Sequence, residues 1–179
     1  TQLDLPLDVL EKGDSLTIGG VRLDVIWPLA GEGDTMVSGG VEINDKSVVF
    51  RVEYGEHTAL LPGDLYTSGE EGVMANTDLD LLDVDLLKVP HHGYNSTSSL
   101  PAFIKTVSPE IAVALGRVPR EATITRYKDL GVNYLCDWLN GYIHIEVGTD
   151  GVMTETHTRN NVPADFGDIK DDDSDIEEN

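Results

Sequence analysis

Three short apolar runs constrain the fold of this chain more than any other feature: HTALLPGD (57–64), DVDLLKVP (83–90) and EIAVALG (110–116), separated by segments with helix-like composition. A run that is apolar along most of its length reads as a buried strand, and the three alternate with helix-like segments. Upstream, SLTIGG (15–20) and VRLDVIWP (21–28) read as a strand pair hinged at Gly19-Gly20, followed by an aperiodic Gly-rich loop, LAGEGDTMVSGG. SVVFRVEYGEHTALLPGD (47–64) reads as a hairpin turning at Gly55-Glu56, with Val48, Phe50 and Val52 on one side and Val49, Arg51 and Glu53 on the other.

Between the apolar runs, LYTSGEEGVMANT predicts a short helix with Glu70 and Glu71 on its wet side, although Gly69 and Gly72 weaken it. SSLPAFIKTV (98–107) predicts a second helix and REATITRYKDLG (120–131) a third, ended by Gly131. NYLCDW, YIHIEV and VMTETH read as closing strands, with Asn140-Gly141 and Asp150-Gly151 as hairpin turns. Strands come first, then βαβα, then strands again, which predicts an α/β protein with a mixed β-sheet and flanking helices.

The runs end on chemistry. HTALLPGD delivers Asp64, and DVDLLKVP delivers His91 and His92 in the stretch HHGYNSTSS. Strand ends are where α/β scaffolds expose functional side chains, and a carboxylate beside imidazole is a donor set for a borderline divalent metal. Taken alone, a Gly-Asp after an apolar run reads as a turn with a helix cap. Adjacent histidines cannot both face the core of an extended strand, so the chain is expected to turn at Gly93.

Composition narrows the function classes. The 179 residues, 40% hydrophobic, suffice for one globular domain. A formal charge of −21 repels polyanions, so direct DNA binding by bulk electrostatics is disfavoured. The single cysteine, Cys136, excludes a disulfide framework and a thiolate zinc site and reads as a small buried residue. No run approaches the length of a membrane span, and the compartment is left open between a bacterial cytoplasmic and an exported protein. The segment from Asp165 onward carries eight acidic residues and one Lys, so residues 161–179 are expected to form a solvated acidic tail after a domain of residues 1–160. Its Asp spacing lacks the glycine and the closing glutamate of a calcium loop.

In order, KGDSLTIGGVRLDVIWP, INDKSVVFRVEYGEHTALLPGD, DVDLLKVPHHGYNSTSSLPAFIKTVSPEIAVAL, a helix ending in LGV, and NGYIHIEV resemble the C-terminal half of a metallo-β-lactamase-fold domain, in the ComEC-like branch associated with DNA uptake. The resemblance covers roughly residues 12 to 152 and rests on four elements. These are the Asn-x-x-Ser-Val run at Asn44 to Val48, the Gly-Asp at 63–64, the Glu-rich helix, and His-His-Gly at 91–93 followed by small hydroxyl residues. It implies half of an αββα sandwich that binds one or two divalent ions, zinc or manganese, and a hydrolase, phosphodiesterase-like, that attacks with metal-bound hydroxide. It implies Asp64, His91 and His92 as metal-binding and catalytic residues, with Ser96 and Thr97 contacting substrate oxygens and Ser98 available for the same task or for capping a helix. The histidine-rich leading motif of the family is missing, as is its later His-Pro, and Arg117 or Arg120 is either a phosphate-facing substitute or a surface residue. The expectation is therefore that an N-terminal half of the same domain, or a complementary chain, supplies the remaining ligands, and that these residues alone are inactive. The alternative is a non-catalytic module of the same fold that binds partners through its acidic surface.

Overall fold

A computed structural model describes residues 9–31, 43–93, 98–116, 120–148 and 150–159. The Gly-rich loop beyond Gly31, the substrate-contact candidates Ser96 and Thr97, Arg117, and the acidic tail lie outside the described residues.

Seven strands form one mixed sheet in chain order: β1 (Ser15–Ile18), β2 (Val21–Trp27), β3 (Val49–Tyr54), β4 (His57–Leu61), β5 (Leu86–Lys88), β6 (Ile111–Ala114) and β7 (Asn133–Cys136). The first four pair antiparallel as a meander, and β4 through β7 pair parallel. The change of direction at β4 coincides with the change in sequence pattern. The parallel strands are joined by α1 (Thr67–Asn76), α2 (Pro101–Val107) and α3 (Glu121–Asp129). A separate antiparallel hairpin, β8 (Ile143–Val147) and β9 (Met153–His157), completes the described structure. The fold is the mixed α/β class with flanking helices that the alternation of runs predicts.

Register assigns the two sheet faces. Leu60, Leu87, Ala112 and Tyr134 are successive cross-strand partners on one face. All four are buried and belong to one core cluster with Val73 of α1, Phe103, Ile104 and Val107 of α2, and Ile124 and Tyr127 of α3. Burying these side chains supplies the main stabilisation, of the order of 2 kcal/mol for each large one. The opposite face holds Leu23, Phe50, Val52, Ala59, Leu86 and Val113 half-buried, with Leu16, Ile18 and Leu61 exposed.

Val49 shares a side of β3 with Arg51 and Glu53, as its alternation implies, and is completely buried at the strand start, next to a register shift between Val25 and Trp27. Other local expectations are corrected. NYLCDW is strand only through Cys136: Asp137–Asn140 forms a one-turn helix, α4, and β7 lies parallel to β6, so Asn140-Gly141 ends a helix and is no hairpin turn. The turn around Asp150-Gly151 does join β8 to β9, with Gly148 N–H bonded to Val152 O.

The two glycines that weaken α1 as a helix have a packing reason. A Cβ on Gly69 would strike Leu65 and Asp45, and a Cβ on Gly72 would sit 2.7 Å from the Trp27 indole. That indole cannot withdraw, because Trp27 is buried and its Nε1–H donates to Asp45 O at 2.7 Å. Helix propensity alone makes Gly72→Ala stabilising by about 1 kcal/mol. Overpacking against a pinned indole outweighs it, so this variant is expected to lose roughly 1–2 kcal/mol in a urea unfolding titration.

Candidate functional site

The C-terminal ends of β4 and β5 carry the site. After Leu61 the chain turns through Pro62 and Gly63, whose φ of +60° suits glycine and whose absent Cβ lets Ser47 approach: an added Cβ would lie 2.8 Å from Ser47 Cβ. Ser47 Oγ accepts the Asp64 N–H at 3.0 Å. Asp45, two residues earlier, accepts from Tyr66 N–H at 3.2 Å and Gly69 N–H at 2.9 Å and bonds the Ser68 hydroxyl, so it satisfies the orphan amides that open α1. The two residues inside the Asn-x-x-Ser-Val run thus position the segment that bears Asp64. Asp64 itself is not the helix cap.

After Lys88 the chain enters a tight 3-10 turn at Pro90. His91, His92 and Gly93 then occupy the left-handed region in succession, at φ of 45°, 58° and 71°. Two non-glycine residues in that region cost of the order of 1 kcal/mol each, a strain that persists only where neighbours hold it. Here His91 N–H donates to Gly63 O at 3.3 Å, the His91 ring meets Tyr66 edge-on at 4.7 Å between centroids, and the His92 ring is tied to Leu115, the residue after β6.

Asp64 and His92 meet, with Asp64 Oδ1 lying 3.4 Å from His92 Nε2. His92 Nδ1 lies 2.6 Å from Leu115 O. A carbonyl only accepts, so Nδ1 carries the proton and Nε2 presents its lone pair to the carboxylate whenever the ring is neutral. Two acceptors face each other across a gap that a proton or a cation would bridge. His91 stands beside them, 6.2 Å between ring centroids, turned toward Tyr66. No group of three or more His, Cys, Asp or Glu side chains with ligand geometry occurs among the described residues. His57, His144 and His157 lie on β4, β8 and β9, each next to an acidic side chain.

Two side chains at the site carry no distinguishing signal in the sequence. Lys88, the last residue of β5, donates to Gly63 O at 2.6 Å and reaches Asp64 Oδ1 at 3.3 Å. Burial lowers its pKa, opposed by Asp64. Glu70, expected on the wet side of α1, is instead completely buried. Its two carboxylate oxygens accept Ser99 N–H at 2.6 Å and Leu100 N–H at 2.8 Å, which opens α2 without any serine cap. Ser98 is buried and donates to Pro90 O at 3.4 Å, so it serves neither as that cap nor as an exposed substrate contact. Arg126 of α3 donates to Ser98 O and Ser99 O, and Tyr127 Oη to Ser99 Oγ. Glu70 in α1 and Arg126 in α3 therefore clamp the segment that returns from the histidine turn. A salt-bridge rationale or an i,i+3 pattern would not have located Glu70, since its partners are backbone amides 29 and 30 residues away.

Burial pushes the Glu70 carboxyl from 4.5 up to about 7, against the bonds from Leu100 and Ser99 and the Arg126 charge, with Asp45 adding to the rise. Between those two values the unfolded chain has released the proton that the folded chain retains, so stability falls as pH rises. Relative to Glu70→Gln, wild type is expected to lose roughly 3 kcal/mol of stability between pH 4 and 8. Denaturant titrations of both proteins across that range would show parallel curves if Glu70 does not titrate there.

No protein-family model matches the chain. It is 36% identical over 121 residues to competence protein ComA of Neisseria gonorrhoeae, an alignment that covers 64% of this chain and 17% of that protein. It is 30% identical over 130 residues to the YcaI protein of Escherichia coli (strain K12), covering 69% of this chain and 16% of that protein. ComE operon protein 3 of Bacillus subtilis (strain 168) is 29% identical over 107 residues, covering 60% and 12%. The chain thus has relatives among competence proteins and spans about a sixth of the length of the first two. No helix among the described residues is long and apolar enough to cross a membrane.

Proposed function

We propose that this chain carries the downstream share of a metal-dependent phosphodiesterase site, of the metallo-β-lactamase type, within a protein of DNA uptake. The observation that carries this reading is the 3.4 Å separation of Asp64 Oδ1 and His92 Nε2, with the His92 tautomer fixed by Leu115 O. A tetrahedral zinc ion with bonds of about 2.0–2.1 Å to oxygen and nitrogen needs its two ligand atoms about 3.4 Å apart. The Nδ1–H bond to a carbonyl is the outer-shell device that orients metal-bound imidazoles. Asp64 and His92 would hold the ion, and His91 would line the site. Zinc and manganese both suit this carboxylate and imidazole pair.

When bound, such an ion lowers the pKa of a coordinated water and stabilises charge on an attacked phosphoryl group. The chain's own contributions are the ligand pair, its orientation by Ser47 and Leu115, and the positive field of Lys88 for an anionic ester. Two donors do not hold a metal tightly, so the reading requires ligands from outside these residues. The apolar second face of the sheet, with Leu16, Ile18 and Leu61 exposed, supports a partner layer from the N-terminal half of the domain or a complementary chain. The alternative of a non-catalytic binding module draws support from the Lys88 contact, which already balances Asp64.

In the full natural polypeptide, a divalent metal is expected at one or two equivalents by elemental analysis, with hydrolysis of bis(p-nitrophenyl) phosphate that EDTA abolishes. Asp64→Ala and His92→Ala are each expected to cut that activity by more than about 100-fold and to weaken metal retention. A metal-free wild type that neither binds zinc nor manganese nor hydrolyses the ester under either would leave the binding module as the function.

A further inference from the structure

Lys88 occupies an unusual place. On the second face of the sheet it is the one charged residue among the strand positions that register places there in β3 through β7, which otherwise hold Phe50, Val52, Ala59, Leu61, Leu86 and Val113 near it. Its side chain is 19% exposed. An ammonium is costly to bury, and a brace for the Gly63 carbonyl alone would be cheaper as a neutral donor. An ammonium also has three N–H donors. Two are used, on Gly63 O and Asp64 Oδ1, and among the described residues the third has no protein acceptor.

The two used bonds fix where the ammonium sits. Gly63 O and Asp64 Oδ1 lie on the turn that ends β4, and the same Oδ1 faces His92 Nε2. The ammonium is thus held beside the Asp64–His92 gap by two acceptors from one turn, at the end of the sheet where the strand ends open. Charge bookkeeping points the same way. Asp64 is balanced by Lys88, and a dication added there would leave the site positive. A monoanion with several oxygens is the complement of that field.

We propose that Lys88 is a substrate-contact residue: its free N–H binds a non-bridging oxygen of a phosphodiester monoanion held at the Asp64–His92 gap. This rests on the phosphodiesterase reading above and adds the group that recognises the phosphoryl charge from this chain. Ser96 and Thr97 are not needed for this contact.

The test separates binding from chemistry. In the full natural polypeptide, with lysine Cε labelled by carbon-13, the Lys88 resonance is assigned by its loss in Lys88→Arg and followed while dimethyl phosphate, a non-hydrolysed diester, is titrated in. A saturable shift of that resonance in wild type, absent in Asp64→Ala, is expected; a Lys88 resonance that does not move while other site signals do overturns the proposal. Kinetics give the second arm. Lys88→Met is expected to raise KM for bis(p-nitrophenyl) phosphate by about tenfold or more with metal content unchanged, and Lys88→Arg to recover part of it. A Lys88→Met protein with unaltered KM and kcat, or one whose loss tracks metal content alone, assigns Lys88 a bracing role and refutes substrate contact. Should the polypeptide prove inactive, the labelled titration still decides whether Lys88 meets a phosphodiester, so failure of the hydrolase reading and failure of this one are told apart.

Discussion

The Gly63–Asp64 turn is the joint on which the rest of the site depends. Its carbonyl accepts from both Lys88 Nζ and His91 N–H, and its following amide is held by Ser47 Oγ. Three separate stretches, the lead into β3, the end of β4 and the exit from β5, are therefore fastened to two peptide units. The arrangement needs a residue with positive φ and no Cβ at 63, since Ser47 stands where a side chain would be. Hydrogen bonds of this kind contribute about 1 kcal/mol each. Their larger effect is geometric, because the strained left-handed turn at His91–His92 is held in place by bonds to this joint and to Leu115.

A second set of bonds fixes the outward side of the histidine turn. Glu70 reaches from α1 to the amides of Ser99 and Leu100 that open α2, and Arg126 reaches from α3 to the carbonyls of Ser98 and Ser99. Opposite charges approach opposite backbone groups, so the segment is gripped through its peptides and its side chains are left for other tasks. A buried carboxylate is tolerable here because its oxygens meet two N–H groups. The helices that cross over between parallel strands thereby also determine where the segment after the histidines returns to the fold.

The sheet was legible because its pattern is local. Alternation in β3 and the apolar content of β4, β5 and β6 report the buried helix-side face, and the order of runs and helices leaves few arrangements. The proximity of Asp64 to His92 was legible for the same reason: both follow strands that end at one edge. Glu70, Asp45 and Ser47 were not, because each acts on backbone amides that sequence spacing does not encode. A Glu-Glu pair in a glycine-containing helix has no apolar stripe to orient it, so the solvated face was the natural reading. The histidine pair could be inferred to turn, but not that both residues would adopt positive φ. NYLCDW failed differently, since an apolar run of that length is equally compatible with a strand that ends early and a helical turn.

The distribution of polarity on the sheet bears on what the chain does. Toward the β1 edge, the helix-side face carries ion pairs, Arg22 with Asp24 and Arg51 with Glu53, while the other face carries Leu16, Ile18, Leu23, Phe50 and Val52. A meander whose apolar residues face away from its own helices is built to be covered from that side. Lys88 and the Asp64–His92 gap open at the end of this same sheet, where a covering layer would meet them. A site completed by the layer that buries the apolar face would couple assembly to chemistry: the same contact that removes Leu16 and Ile18 from water would bring the missing ligands to Asp64 and His92. Under the proposed function, the −21 formal charge would leave attraction for a phosphodiester to a small cationic centre formed by Lys88 and a bound ion, because the rest of the surface repels a polyanion.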